Sequence, residues 1–351
     1  VQGHGRRGLL SLALAVLIGT SACGGDDASP KPTPTASRSV AVVAPTPSPP
    51  PAPVPQVTLT EAGRVLAGII SADGVLGAAT PHLDADRKNI LEQTRDGQEA
   101  LTAAAFSSSA DALPHYTWGA PDLLVPRVQG SAPWFAAIVR REDSAGKARS
   151  AVLTVIRQGR DDWRLSSTSL LDVGTRAPAI VKDADGYATA LGEEDTTVEI
   201  SPRLMAPLHA TSAEEGAQGF AAGLIEEGPH TTGYADEIAE KRPAEKNACL
   251  GYDSIFAASD YPVHALRTAD GGALVLYSLI RTTTQTVKVE PCASDFRIPP
   301  DVAKLTSDSF VREELRTVET QLYVSTVPAK NSGGPAKVIG YLGGITKVTV
   351  S

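Results

Sequence analysis

The amino-acid sequence predicts an α+β fold of two tandem units, each made of helices packed on a mostly antiparallel sheet, and three observations lead there. First, residues 1–22 read as an export signal and 24 to about 56 as a linker, leaving a folded part from about 57 to 351. Second, a helix-like segment with a hydroxyl residue at its start occurs twice, as VTLTEAGRVLAGIISAD at 57–73 and as VEISPRLMAPLHATSAE at 198–214. Third, each copy closes in long β-type runs separated by turn residues. The expected units are 57–175 and 198–351, joined by a hairpin over 176–197.

The elements follow in chain order. Arg6 and Arg7 supply a positive start, an apolar run follows Gly8, and Ser21 and Ala22 precede the cut. That run, of about a dozen residues, is too short to span a bilayer. Cys23 follows IGTSA, which resembles the lipobox of bacterial lipoproteins, although Thr20 stands where an aliphatic residue is usual. The resemblance implies that Cys23 becomes the first mature residue and carries a diacylglyceryl thioether with palmitate-type chains; two acyl chains hold a protein stably where one would not. The rival reading is a secreted protein with an incidental cysteine at its cleavage site. The segment GGDDASPKPTPTASRSVAVVAPTPSPPPAPVPQ has too many prolines and too little apolar surface to offset its ordering entropy, so it is a disordered tether.

In the first unit Thr60 is the expected N-cap of a helix with Val65, Leu66, Ile69 and Ile70 as its apolar residues. DADRKNILEQTRDGQEALTAAAF, 84–106, reads as helical. PWFAAIVRRED, ARSAVLTVIRQG and DWRLSSTSLLDV read as three strands. In the second unit Ser201 is the expected N-cap with Pro202 at the first helical position, and helices are expected at 213–227 and about 234–242. GALVLYSLIRTTTQTVKV and the run from Leu315, split by NSGGP, read as long strands, with 295–310 a loop carrying a short helix. APAIVKDADGYATALG reads as a hairpin turning at Asp185 and Gly186; its DADG lacks the further ligands of a calcium loop.

Charge and motifs narrow the function classes. The formal charge of −8 becomes −10 without the two arginines of the signal, and there is no basic stripe with interleaved aromatics, so nucleic acid is not an expected partner. GxSxG, HExxH and GxxxxGK[ST] are absent, and no catalytic residues, metal or cofactor are expected. Cys249 and Cys292, in an exported chain, read as a disulfide; two buried free thiols or a catalytic cysteine are the alternatives. The bridge would close a loop of roughly 40 residues and contribute about 4 kcal/mol. Histidines at 82, 115, 209, 230 and 264 are scattered and read as structural or exposed, the glutamate pairs 193–194, 214–215 and 226–227 as solvated, and Tyr277, Tyr323 and Tyr341 as sheet core.

Helices leading into a bent, mostly antiparallel sheet resemble the cone-shaped fold of the nuclear transport factor 2-like superfamily. The whole layout resembles lipoproteins of actinobacteria. The resemblance covers 57–351 in layout, and it implies a pocket between sheet and helices in a fold that serves isomerases, dehydratases and binding modules alike. Candidate pocket residues are His115, Tyr116 and Trp118, with packing of the sheet mouth as the alternative. The leading expectation is a non-catalytic binding or scaffold lipoprotein, lipid-anchored on the extracytoplasmic face of the cell membrane, whose partner is an envelope protein or a small apolar ligand. The alternative is an isomerase-type enzyme with Asp84, His115 or Tyr116 as acid–base groups.

Overall fold

The computed structural model describes residues 54–71, 75–76, 84–108, 116–128, 132–159, 162–288 and 296–351, with backbone only at 84–86 and 108. The expected signal, Cys23 and most of the tether lie outside the described residues. Among the described residues no helix is long and apolar enough to cross a membrane.

Helix α1, Leu59–Ile70, buries Ala62, Leu66 and Ile69 on one face. Its N-cap is Thr58, whose hydroxyl accepts from the Glu61 amide at 3.0 Å, so the expected cap Thr60 falls inside the first turn. The single helix expected over 84–106 is two, α2 at Asp84–Glu92 and α3 at Asp96–Ser108. The break has a cause on the neighbouring sheet. Leu165 donates to the Gln93 carbonyl at 2.9 Å and accepts from the Arg95 amide at 3.0 Å, diverting backbone groups a continuous helix would use, and Asp96 turns to φ +52°.

Four strands follow: β1 Tyr116–Leu124, β2 Trp134–Asp143, β3 Ala148–Gln158 and β4 Asp162–Leu171. The last three coincide with the expected runs; β1 is an edge strand with a register shift between Trp118 and Pro121. Of the expected hairpin, 181–189 forms: the Asp183 amide closes the turn on the Tyr187 carbonyl at 2.8 Å, Lys182 bridges Ala188, and the Thr189 amide donates to the Val181 carbonyl at 3.0 Å, beyond which the arms separate. Its arms find partners elsewhere: Ile180 bridges Thr268, and the two-residue β5, Ala190–Leu191, pairs with β7, His264–Arg267.

In the second half α4 spans Pro202–Glu215 and α5 Gly233–Asn247. Ser201 is the N-cap residue of α4 but makes no side-chain capping bond. The helix expected over 213–227 stops at Glu215, because Gly216 (φ +72°) and then Gly223 (φ +75°) take left-handed conformations that end it in turns. Strand β6, Leu250–Ala258, precedes β8, Ala273–Val287; β11, Glu314–Val327, and β12, Lys337–Val350, close the chain. Between them β9, Phe296–Arg297, and β10, Phe310–Val311, pair beside a single helical turn at Ala303–Leu305.

The main sheet is antiparallel in the order β1-β2-β3-β4-β12-β11-β8-β7-β5, with β6 on the same edge of β8 as β7. The halves join through a short seam in which Gly340 and Tyr341 of β12 pair with Leu171 and Leu170 of β4. Glycine at 340 allows this close approach, since a Cβ there would lie 3.0 Å from the Leu170 carbonyl oxygen.

Alternation along the strands divides the core into layers. Phe135, Ala137, Leu153 and Val155 face α1, while Val275, Tyr277, Leu279 and Tyr323 face α4 and α5. Their strand neighbours Trp134, Ala136, Val152 and Ile156 point the other way and meet Leu274, Leu276, Val324 and Ile339 in a shared middle layer. The two half-sheets thus pack back to back, each carrying helices on its outer face.

Candidate functional site

Helix α3 lies across β4 and β12 and does not close fully against the sheet. The space left, about 260 Å³, is bounded by Leu101 and Phe106 of α3, Ile90 of α2, Tyr116 and Trp118 of β1, and Leu342 of β12. The shape follows from local sequence. Tyr116 and Trp118 are two apart on a strand, so they share a face, and their rings meet edge to face with centroids 6.4 Å apart. Trp118 donates from Nε1 to the Leu76 carbonyl at 3.3 Å, which pins the segment after α1 to the rim.

The wall carries few polar groups. Arg141 stands directly opposite Trp118 in the β1–β2 register, so its side chain leaves the sheet on the cavity face, and its guanidinium lies 3.8 Å from the centre of the Tyr116 ring. Burial holds this guanidinium below its ordinary pKa, an effect that Tyr116 and Asp143 oppose and Arg149 reinforces. Thr168 Oγ1 and Gln98 Oε1 are buried without hydrogen-bond partners, while Gln98 Nε2 donates to Thr102 at 3.2 Å. No carboxylate or histidine belongs to the described wall. Chemically, such a cavity can hold an apolar body and bind an electron-rich group.

Of the residues singled out in the sequence, Tyr116 and Trp118 come together here. His115, His82, Cys23 and Cys292 lie outside the described residues, and Asp84 opens α2. Cys249 follows α5 at φ +66°, and its carbonyl accepts from the Lys288 amide at 2.9 Å. In the DADG turn, Asp183 accepts from the amides of Asp185 and Tyr187 at 2.9 Å each, and Arg127 pairs with Asp183 at 2.7 Å. These bonds hold the Asp183 carboxyl below the usual carboxylate range.

Sequence reasoning missed Arg141, which sits in the polar tail RRED of its strand and reads there as solvated. It also missed a buried polar network in the second half. His209, fully buried in α4, donates from Nε2 to the His230 carbonyl at 2.6 Å, so its Nδ1 accepts from the Tyr277 hydroxyl at 2.8 Å. Tyr277 accepts in turn from Ser325 at 2.9 Å. Beside them Tyr323 donates to Gln321 Oε1 at 3.0 Å, and Gln321 donates to the Tyr234 hydroxyl at 3.2 Å. Burial drives the His209 pKa down to about 4 and those of Tyr277 and Tyr323 well up. The polar atoms of this network are spent on one another, which suits specific packing of α4 rather than ligand capture.

Comparison with known proteins adds family and context. Residues 53–349 match the family model described as Domain of unknown function (DUF8094). The chain is similar to the uncharacterized lipoprotein SCO2278 of Streptomyces coelicolor, with 28% identity over 227 residues, 63% of this chain and 64% of the relative, so the match spans less than two thirds of that relative's length. It is 28% identical to the uncharacterized lipoprotein SCO6871 of the same organism over 282 residues, 74% of each chain. An uncharacterized lipoprotein of Streptomyces avermitilis is 26% identical over 282 residues, 78% of this chain and 80% of that one. No solved structure matches the chain.

Proposed function

The chain belongs to the family described as Domain of unknown function (DUF8094), and from that membership we propose that it is a lipid-anchored envelope lipoprotein whose folded part binds a small apolar ligand. The single observation that carries the binding role is the cavity under α3, walled by Leu101, Phe106, Trp118 and Leu342. An apolar concavity with a few polar groups is the common form of a small-molecule site. The anchor rests on Cys23 after IGTSA and on the lipoprotein relatives. On this reading the acyl chains sit in the outer leaflet of the cytoplasmic membrane, and the proline-rich segment holds the folded body off its extracytoplasmic face.

Two finer readings belong to the same proposal. The tandem arrangement of two nuclear transport factor 2-like cones, 57–175 and 198–351 with 176–197 between them, is supported by the repeated order of helices then meander and by a separate helical layer on each half-sheet. A Cys249–Cys292 disulfide is supported by the β6–β8 pairing, which holds Cys249 beside Lys288, four residues before Cys292.

The test uses the full chain. In the native host, labelled palmitate enters the wild type and not Cys23→Ser; label in the variant would remove the anchor. For binding, 1-octanol gives a saturable heat on calorimetric titration, and Leu101→Trp, which fills the cavity, abolishes saturation while leaving the thermal midpoint within a few degrees. Saturation unaffected by Leu101→Trp would move the ligand out of this cavity.

A further inference from the structure

Arg141 defines the ligand further. Guanidinium groups elsewhere in this protein that are drawn out of water have acceptors: Arg127 has Asp183, Arg281 has Glu237, Arg267 has Asp195, and Arg149 has the carbonyl oxygens of Leu170 and Leu171. Arg141 is partly buried too, yet among the described residues no carboxylate lies within ion-pair distance and no hydrogen bond engages it. Its contact is the Tyr116 ring, which holds the guanidinium plane by its face and leaves the N–H edges unused. A partly buried cation with no direct ion pair, and only the more distant field of Asp143, favours an anion beside it.

A second observation points the same way. Arg141 and Arg149 are register partners across β2 and β3, so two like charges stand opposite each other on one face of the sheet in a chain whose net charge is −8. Like charges directly opposite on a sheet repel. An anion beside Arg141 relieves both conditions at once.

Resting on the cavity reading above, we infer that the ligand is a small amphiphilic monoanion, a carboxylate on an apolar tail, with the carboxylate on the Arg141 fork and the tail against Leu101, Phe106 and Leu342. The fork matches a carboxylate in bidentate fashion. Thr168, whose hydroxyl has no partner in this wall, is the second polar group for the head, and the Gln98 amide beside it can present either end. The size fits as well: a space of about 260 Å³ lies near the lower end of the roughly 300–1,000 Å³ of small-molecule sites, which suits a single-tailed ligand.

The experiment is calorimetric titration of the full chain with octanoate, 1-octanol and octylammonium, three probes of equal tail and different head. The wild type binds octanoate at least about tenfold more tightly than 1-octanol, a difference of about 1.4 kcal/mol, and does not bind octylammonium measurably. Arg141→Gln removes the preference for octanoate over 1-octanol, and Arg141→Lys keeps part of it. Equal binding of all three probes by the wild type would overturn the anion inference while the apolar cavity stands. Binding of none would remove the cavity reading and this inference with it. The comparison of heads on the wild type holds even if a variant at 141 fails to fold.

Discussion

At the scale of single residues, the histidine at 209 makes the sharpest prediction. Its ring is neutral when folded, with a pKa near 4 against an ordinary 6.5, because burial removes the water an imidazolium needs and the hydrogen bond to the His230 carbonyl offsets only part of that loss. The unfolded chain therefore takes up a proton that the folded one refuses as pH falls below about 6.5, so stability is lost between about pH 6.5 and 4 and the loss levels off below that. The size is about 3 kcal/mol from this residue. Urea midpoints measured from pH 7.5 to 4 are expected to fall across that window; a His209 ring resonance that titrates near 6.5 in the folded protein would refute the assignment. In the sequence, HATSAE places this histidine on a helix, but its partners Tyr277 and Ser325 are 68 and more positions away. The tyrosines were legible as sheet core. Their hydroxyls needed a histidine that no local pattern connects to them.

At the scale of elements, strands with β-branched and aliphatic runs were legible and those with mixed composition were not. WFAAIVRRED, ARSAVLTVIRQ and DWRLSSTSLL declare themselves, whereas β1, YTWGAPDLL, contains Gly119, Pro121 and Asp122 and is tolerated because it is an edge strand with an irregular register. The break between α2 and α3 was equally hidden, since Gln93 and Arg95 leave the helical ladder for bonds to Leu165 that exist only once β4 is in place. The seam between β4 and β12 gives this scale its test. Gly340→Val puts a branched side chain where a Cβ already meets Leu171 Cα at 3.1 Å, and it is expected to cost about 1–3 kcal/mol. The Asp172 amide, which donates to the Ile339 carbonyl at 2.9 Å, should then exchange faster with solvent than the Val152 amide in mid-sheet. Unchanged protection at Asp172 would show that the seam does not depend on that close approach.

At the scale of the whole molecule, the two half-sheets bury a common layer through Trp134, Val152, Ile156, Leu274, Leu276 and Val324. Separating the chain in the 176–197 connection exposes that layer on both pieces. Each half expressed alone is therefore expected to aggregate, and the two halves expressed together to co-purify as a soluble pair; two monomeric, well-dispersed halves on size exclusion would contradict a shared core. A signal for this packing was present in the unbroken apolar runs FAAIV, AVLTVI and ALVLYSLI, since a strand with one wet face alternates and a strand covered on both faces does not. By itself the sequence determined the α+β class, most of the long strands and the helical openings of both halves, because each depends on composition and periodicity within a short window. Only the tertiary structure decided the back-to-back packing, the cavity under α3 and the placement of Arg141 on its wall with no described carboxylate within ion-pair distance. Each of those is a relation between segments far apart in the chain, set by which faces exclude water together and by which charges find no partner once they do.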